Sequence, residues 1–422
     1  MKTRMVPGLA WFLAWGTVQA QDFTLNALVE AWYVQPLDAN LRLNAAAKPA
    51  GSAIYYDGLG AGRFAESTFA VKRTEIYLNG VISRDLSWSL MFDPNNSTAS
   101  VGNNLLADAL ITWVPLKGLS VKVGQTKMPA AYEGSMVGSR DLLFFDRGQL
   151  NRLLGEVRDR CLWLVYSYGD AKTFLGRLNL AVSNGTSDDG SKGKNNDLNA
   201  QKDWTFRFDG EYRGHHKFGL YYREGVTNLK DATLTVTIPA TWTVGPPTAD
   251  QVKSNRDKTT LAGLFYAFDD ATWHADLECA SGLLGRRFPA LFPAGAADSV
   301  PRREHLDQKY LGYVLSGVYK LGPHWLTARY DRMNYNSGND WYTASNPYRT
   351  DPATGLPTGN DYTPVYTETT LGYTYLFAPT RPSLGKLKVN YIRRSRNFLA
   401  PRSGQTGAQG GDSLVTSLML AF

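Results

Sequence analysis

Few residues of this chain have the types and spacing that catalysis or metal binding requires. Ser183 begins a Ser-Asn-Gly run, but the residue two before it is Ala181, so no base stands there to take the hydroxyl proton. His274 and Asp276 share one strand face and could pass a proton between them, although a histidine beside carboxylates in a wet site is usually a solvated network. His215-His216 has no further ligands nearby for a metal. Asp188, Asp189 and Asp197 lie among Gly and Asn residues without the ordered spacing of a calcium loop. The two cysteines, Cys161 and Cys279, form no Cys-x-x-Cys and are expected to be free and inert. No catalytic residue, metal site or cofactor is expected.

What does recur at regular spacing is a cation on an alternating segment. Arg73, Lys122, Arg177, Arg207, Arg223, Arg329, Lys386, Lys388 and Arg394 all fall on the polar face of period-two runs. Cations projecting into a confined aqueous path would lower the energy of a passing anion and let it step between sites. A solvated, cross-paired face is the competing possibility, because Glu75, Asp108, Asp209, Glu211, Asp276, Glu278, Asp331 and Glu368 share it.

The elements that position these residues are strands. Thr74, Ile76, Leu78, Gly80 and Ile82 alternate with Arg73, Glu75, Tyr77 and Asn79, and Trp204, Phe206 and Phe208 alternate with Thr205, Arg207 and Asp209. Alternation predicts strands near 23–34, 69–82, 87–93, 105–113, 119–127, 161–168, 174–184 and 204–212. The second half gives 217–224, 259–268, 271–281, 309–320, 324–334, 364–377, 385–395 and 412–422. Every second link is tight, as at Ser83 to Leu86, Val114 to Gly118 and Leu321 to Pro323. The links between, 35–68, 128–160, 185–203, 225–258, 282–308 and 335–363, are long and rich in Gly, Ser, Asn, Asp and Pro. Loops sorted by parity into short and long are what a membrane barrel produces, and a soluble sandwich has no reason to sort them. The fold expected is therefore all-β: a transmembrane antiparallel barrel of about 16 strands.

The ends and composition agree with that. Lys2 and Arg4, an apolar stretch through Trp15 and Val18-Gln19-Ala20 read as a signal peptide over residues 1–20, with the barrel in 21–422. Beyond it no stretch approaches the ~20 apolar residues of a spanning helix. Mean hydropathy is −0.30, and 12% of residues are aromatic, which suits a barrel with aromatic girdles. The formal charge of +7 falls to +5 once Lys2 and Arg4 leave. That mild, interleaved excess gives nucleic-acid binding little support. The chain stops on an alternating strand whose outward set, Leu414, Thr416, Leu418, Leu420 and Phe422, ends in an aromatic residue. A terminal Phe422 in this setting resembles the signal read by the barrel assembly machinery.

Over residues 69–185 the chain resembles the phosphate-selective porin O and P family. The ordered pieces are Phe69 with Lys72-Arg73 and Glu75, Gly124-Gln125 with Lys127 and Pro129, Arg140-Asp141 with Phe145 and Arg147, Arg158-Asp159, and Asn184-Gly185. Cys161 stands where the family commonly has a small residue, and the family's lysine cluster for phosphate has no counterpart that can be mapped here. The resemblance implies a 16-stranded barrel in the bacterial outer membrane, usually a homotrimer, whose third long loop folds into the lumen and narrows it. Here that loop is 128–160, carrying Arg140, Arg147, Arg152, Arg158 and Arg160 against Glu133, Asp141, Asp146, Glu156 and Asp159.

The function so implied is passive diffusion of small hydrophilic solutes with a mild preference for anions such as phosphate, and no enzymatic activity. The expected anion path comprises Arg73, Lys122, Lys127, Arg140, Arg147, Arg152, Arg158, Arg160, Arg177, Arg207, Arg223, Arg329 and Lys388; the lipid of the outer membrane surrounds it. Three alternatives stay open. A sheath around another protein would need a wider lumen. A sugar channel would need a file of lumen aromatics, of which parity supplies Tyr77, Tyr221 and Tyr366. An outer-membrane phospholipase, whose signature the Ser183 run resembles, would need the histidine missing at Ala181.

Overall fold

The computed structural model describes residues 22–37, 67–94, 105–155, 157–185, 202–227, 257–292, 302–334, 337, 365–395 and 411–422. Alternating sequences become strands because one face meets lipid and the other meets polar lumen groups, so every second residue has the same solvent. The strands are β1 (Asp22–Pro36), β2 (Thr68–Ser83), β3 (Leu86–Phe92), β4 (Leu106–Leu116), β5 (Leu119–Lys127), β6 (Arg158–Asp170), β7 (Phe174–Ser183) and β8 (Asp203–Tyr212). They continue as β9 (His216–Thr227), β10 (Asp257–Asp269), β11 (Trp273–Phe292), β12 (Arg302–Leu321), β13 (His324–Asn334), β14 (Val365–Leu376), β15 (Gly385–Arg394) and β16 (Asp412–Ala421). Each pairs antiparallel with its neighbours in sequence, and β1 pairs with β16 to close the barrel. Closure is complete at the last residue, where Ala27 and Phe422 exchange N–H to carbonyl bonds of 2.9 and 3.0 Å. No edge is left to meet hydrocarbon, which has no water to satisfy it.

Parity holds. On β16, Ser413, Val415, Ser417 and Met419 are buried inward, while Leu418, Leu420 and Phe422 are exposed outward. Glycines on the outer face are covered by neighbouring aromatics: the Trp88 indole lies 2.4 Å from where a Gly80 Cβ would be. Gly124 is needed for its backbone. Its φ is +139°, and a Cβ there would lie 2.0 Å from the Ala109 carbonyl oxygen. Gly124→Ala is expected to cost at least ~1–3 kcal/mol from the backbone conformation alone, read as a lower midpoint of unfolding in gel mobility; a midpoint equal to the parent's would show that β5 relaxes around the methyl group.

Most strand ends lie within three residues of the alternation reading, and the large differences are at β11 and β12. β11 and β12 run on through most of 282–308, read above as a loop, pairing Phe288–Phe292 with Arg302–Leu306 after a register shift. The glycines, proline and arginines there look like loop chemistry, but cross-strand pairing needs only extended backbone, which such residues permit above the membrane. β6 starts at Arg158, so Arg158 and Arg160 belong to a strand and not to the preceding loop. The link from β14 to β15, a turn of 377–384 closed by Leu384 N–H to Arg381 carbonyl at 3.0 Å, falls where the alternation reading leaves it, to within one residue. The signal-peptide residues and Asp188, Asp189 and Asp197 lie outside the described residues. No described helix is long and apolar enough to cross a membrane.

Candidate functional site

The site is built by the connection between β5 and β6. Its neck is closed by Met128 N–H to Val157 carbonyl at 2.8 Å, and it carries a short α-helix, α1 (Glu133–Met136), a 3-10 turn at Ser139–Asp141 and a π-helical turn at Asn151–Gly155. Arg147 organises it from within, donating to the carbonyls of Glu133 (3.1 Å) and Val137 (2.8 Å) while fully buried. Glu133 accepts from Gly148 N–H at 2.7 Å, and Asn151 accepts from Gly134 N–H at 2.7 Å.

This loop bonds to lumen-facing residues of six strands and packs against a seventh. Glu278 on β11 accepts from Tyr132 N–H (2.6 Å) and the Asn151 amide (2.7 Å). Arg207 on β8 donates to Ser135 and to the Ala131 carbonyl, with its guanidinium over the Phe265 ring that in turn stacks on Tyr132. Arg329 on β13 donates to the Asp146 carbonyl at 2.7 Å and lies over Phe144. On β15, Lys388 donates to the Phe144 carbonyl (2.8 Å), Lys386 to the Leu142 carbonyl (3.2 Å), and Asn390 accepts from Phe145 N–H (2.7 Å). Phe145 also packs edge-on against Trp32 of β1. Asp146 takes Lys72 and Arg73 of β2 at 2.9 and 2.7 Å, and Arg152 pairs with Glu368 of β14 at 2.9 Å. Burial works against a charge on Asp146, yet the Lys72 and Arg73 cations outweigh it and hold the carboxyl well below the usual range.

The anchors lie on β1, β2, β8, β11 and β13–β15, so the loop leans across that side of the barrel. Its exposed residues are Met136, Gly138 and Asp141, of which Met136 and Asp141 border a cavity reaching Arg177 of β7, Glu211 of β8 and Lys320 of β12. On β5 the Lys122 ammonium sits 4.3 Å from the Trp163 ring centroid, and on β7 Arg177 stands 4.0 Å from Glu211 with its side chain 37% exposed. Arg140, on the loop, lies 5.3 Å from the Tyr77 ring. Neither Lys122 nor Arg140 pairs with a carboxylate among the described residues. The cavity, of about 560 Å³, is lined by Glu133, Asp141, Arg177, Glu211, Lys320 and Lys386 among others. Burial pushes the Glu133 carboxyl up to about 7, with Arg329 opposing and Asp276 adding to the shift.

Of the cations assigned above to an anion path, six are buried anchors and not lining groups: Arg73, Arg147, Arg152, Arg207, Arg329 and Lys388. The reason is electrostatic, since a cation deep in a narrow lumen is stabilised by carboxylates and carbonyls brought to it. Arg158 pairs with Asp108 (2.8 Å) and Arg223 with Asp203 (2.8 Å). Lys127 donates to the Gly134 carbonyl at 3.3 Å. Arg160 has the outward parity of Leu162 and Tyr166, contrary to its assignment to the pore. Lys386 and Arg394, also placed on the inner face by parity, are buried there. Tyr221 and Tyr366 are buried with hydroxyls on Glu278 and Glu368, so they make no track. His274 is held between Asp269 and Asp276, His215 meets the Asp269 carbonyl, and both cysteines are free. Sequence reasoning missed Lys72, Asn151 and Asn390 as anchors, and Glu30 as the buried carboxylate that holds the wall residues Arg73, Lys388 and Ser417. Glu30 had a signal, a carboxylate alternating among Leu28, Trp32 and Val34.

A closed 16-strand barrel, apolar outside and charged inside with a loop tied across its lumen, is an outer-membrane porin, a channel in the bacterial outer membrane. The chain belongs to the phosphate-selective porin O and P family, whose profile matches residues 56–398. Among solved structures, a loop L8 deletion mutant of OmpT, an outer membrane protein of Vibrio cholerae, is similar with a TM-score of 0.52 at 12% identity, covering 96% of this chain and 100% of that one. The trimer form of in-vitro folded OmpT gives 0.50 at 11% identity over 95% and 99%. An anion-selective porin from Comamonas acidovorans gives 0.50 at 12% identity over 95% and 99%. At these identities the likeness is one of fold. No curated protein matches the chain in sequence.

Proposed function

We propose that the chain passes small hydrophilic solutes by diffusion, favours anions mildly, and narrows its path with the 128–157 loop. The observation that carries this reading is that Lys122 on the inner wall and Arg140 on the loop have aromatic partners but no carboxylate among the described residues. The other wall cations are neutralised by their anchoring role, which is why the preference is mild. The loop occupying the lumen argues against a sheath. Ala181 two residues before Ser183, together with the buried state of Ser183, argues against a hydrolase.

The remaining parts of the reading are a cleaved leader over residues 1–20, assembly through Phe422, and a homotrimer in lipid. Phe422 supports the second by standing exposed at the end of β16, and the trimer form of the Vibrio cholerae neighbour supports the third.

Reversal potentials across a planar bilayer test the selectivity. At low salt the parent protein is expected to prefer chloride over potassium, more strongly at pH 6 than at pH 8. The sign follows from Glu133: with its carboxyl near 7, it is mostly neutral at the lower pH and adds a negative charge beside the path at the higher one. Glu133→Gln should remove most of that pH dependence. A parent protein that prefers potassium would refute the anion reading.

A further inference from the structure

Strands β12 to β15 carry on their outer face an arrangement that the pore does not use. Outward on β12 stand Lys309, Leu311, Tyr313 and Leu315, and Leu311 and Leu315 are 42% and 54% exposed to the lipid side. Register partners share a face. Tyr313 faces Arg332 of β13 and Leu315 faces Tyr330; Tyr330 faces Thr369 of β14, which faces Arg393 of β15. Lys309, Arg332 and Arg393 therefore all point away from the lumen. They lie toward the long connections, since Arg332 and Arg393 are within two residues of their strand ends.

Their height matches a membrane boundary. Leu311 and Leu321 are ten residues apart on one face, about 26 Å along the normal for a strand tilted by about 40°, against an apolar band of about 25 Å. Lys309 falls just beyond that band, and Arg332 lies at its edge over the Tyr313 ring, 6.0 Å from its centroid. Tyr313 and Tyr330 are themselves paired with centroids 6.0 Å apart.

None of the three cations forms an ion pair with a described residue. Asp412, the register partner of Arg393, is instead engaged by the Tyr391 hydroxyl at 2.6 Å. Further round the barrel, outward Lys258 is already neutralised by Glu224 at 3.1 Å. Cations on a lipid face extend toward headgroups, and a guanidinium fork matches phosphate oxygens in pairs.

We propose that the outer face of β12–β15 is a binding site for a phosphate-bearing lipid of the outer leaflet. Arg332 and Arg393, about two strand spacings across and two residues along the sheet or roughly 12 Å apart, take phosphate oxygens from below and beside the headgroup, and Lys309 takes them from above. The Tyr313 and Tyr330 rings pack under the headgroup. Acyl chains run down the exposed leucines Leu311, Leu315, Leu326 and Leu371. The site is independent of conduction, because no member of it reaches the lumen.

The test uses the full chain purified in nonionic detergent and titrated, with native mass spectrometry as readout, with diphosphorylated lipid A and with the same lipid after phosphate removal. The phosphorylated lipid is expected to stay bound about tenfold more tightly, as loss of one good charged contact implies. Lys309→Gln/Arg332→Gln/Arg393→Gln should bring its retention down to that of the dephosphorylated lipid while conductance and heat-modified mobility stay at the parent level. Should the triple variant not fold, Lys309→Gln/Arg393→Gln changes two exposed side chains only and is expected to give a partial loss. Equal retention of the two lipids, or parent-like retention by either variant, overturns the site. Displacement of the lipid by millimolar inorganic phosphate overturns it too, by showing an ion site in place of a lipid site.

Discussion

Replacing residues 129–156 with a short Gly-Ser link is expected to raise single-channel conductance severalfold. Resistance in a pore is dominated by its narrowest section, and this loop occupies the lumen from the β15 wall, where Phe144 meets Lys388, to the β11 wall, where Tyr132 meets Glu278. Barrel integrity does not depend on it, because all sixteen strands are held by their own ladders and by the β1–β16 closure. A gentler route leads to the same place. Glu368 is fully buried and draws in Arg152 (2.9 Å), Arg329 (3.3 Å) and Arg394 (3.4 Å). Glu368→Gln leaves three guanidinium groups without their shared anion, and breaking a buried pair in this way costs ~3–5 kcal/mol. The wall arginines stay fixed by β13 and β15, so the strain falls on Arg152, the member carried by the loop. The expected result is a noisier, larger conductance and a lower unfolding midpoint. Unchanged conductance in both variants would show that the loop does not limit flow.

The barrel was legible in the sequence because a membrane strand has one environment per face, and alternation at β8 or β16 records it directly. Loop parity then fixed which end faces the periplasm. The β11–β12 extension was not legible, since Gly282, Pro289 and Arg302-Arg303 carry turn-like and charged chemistry that says nothing of the pairing above the membrane. The site was legible only as a set of inward charges. Alternation assigns a face, but it cannot say which inward charge a loop will cover: Lys388 and Phe144 meet across 244 residues of chain, and Asp146 meets Arg73 across 73. Contacts of that separation depend on the loop's path, which Arg147 sets from inside by bonds to two of the loop's own carbonyls. Period-two patterning has no term for it. Lumen cations are therefore of two kinds that look alike in sequence, anchors and lining groups, and only partners separate them.

That separation gives the sharpest expectation about selectivity. Lys122→Ser/Arg140→Ser removes two cations that lie over Trp163 and Tyr77 and hold no carboxylate among the described residues, so the fold has little to lose. The reversal potential at about 0.1 M salt should move toward potassium by an amount that falls away near 1 M, because the Debye length shrinks from ~10 Å to ~3 Å over that range. Conductance should change little. Substituting Arg147 and Arg152 should do the reverse: both are loop anchors, so the variant loses the loop's position and gains conductance before it changes preference. A pair of measurements on each variant, conductance and reversal potential, distinguishes the two kinds of cation. If Lys122→Ser/Arg140→Ser leaves the reversal potential at the parent value in low salt, these two cations do not line the path, and the anion preference must arise from charges elsewhere along the channel.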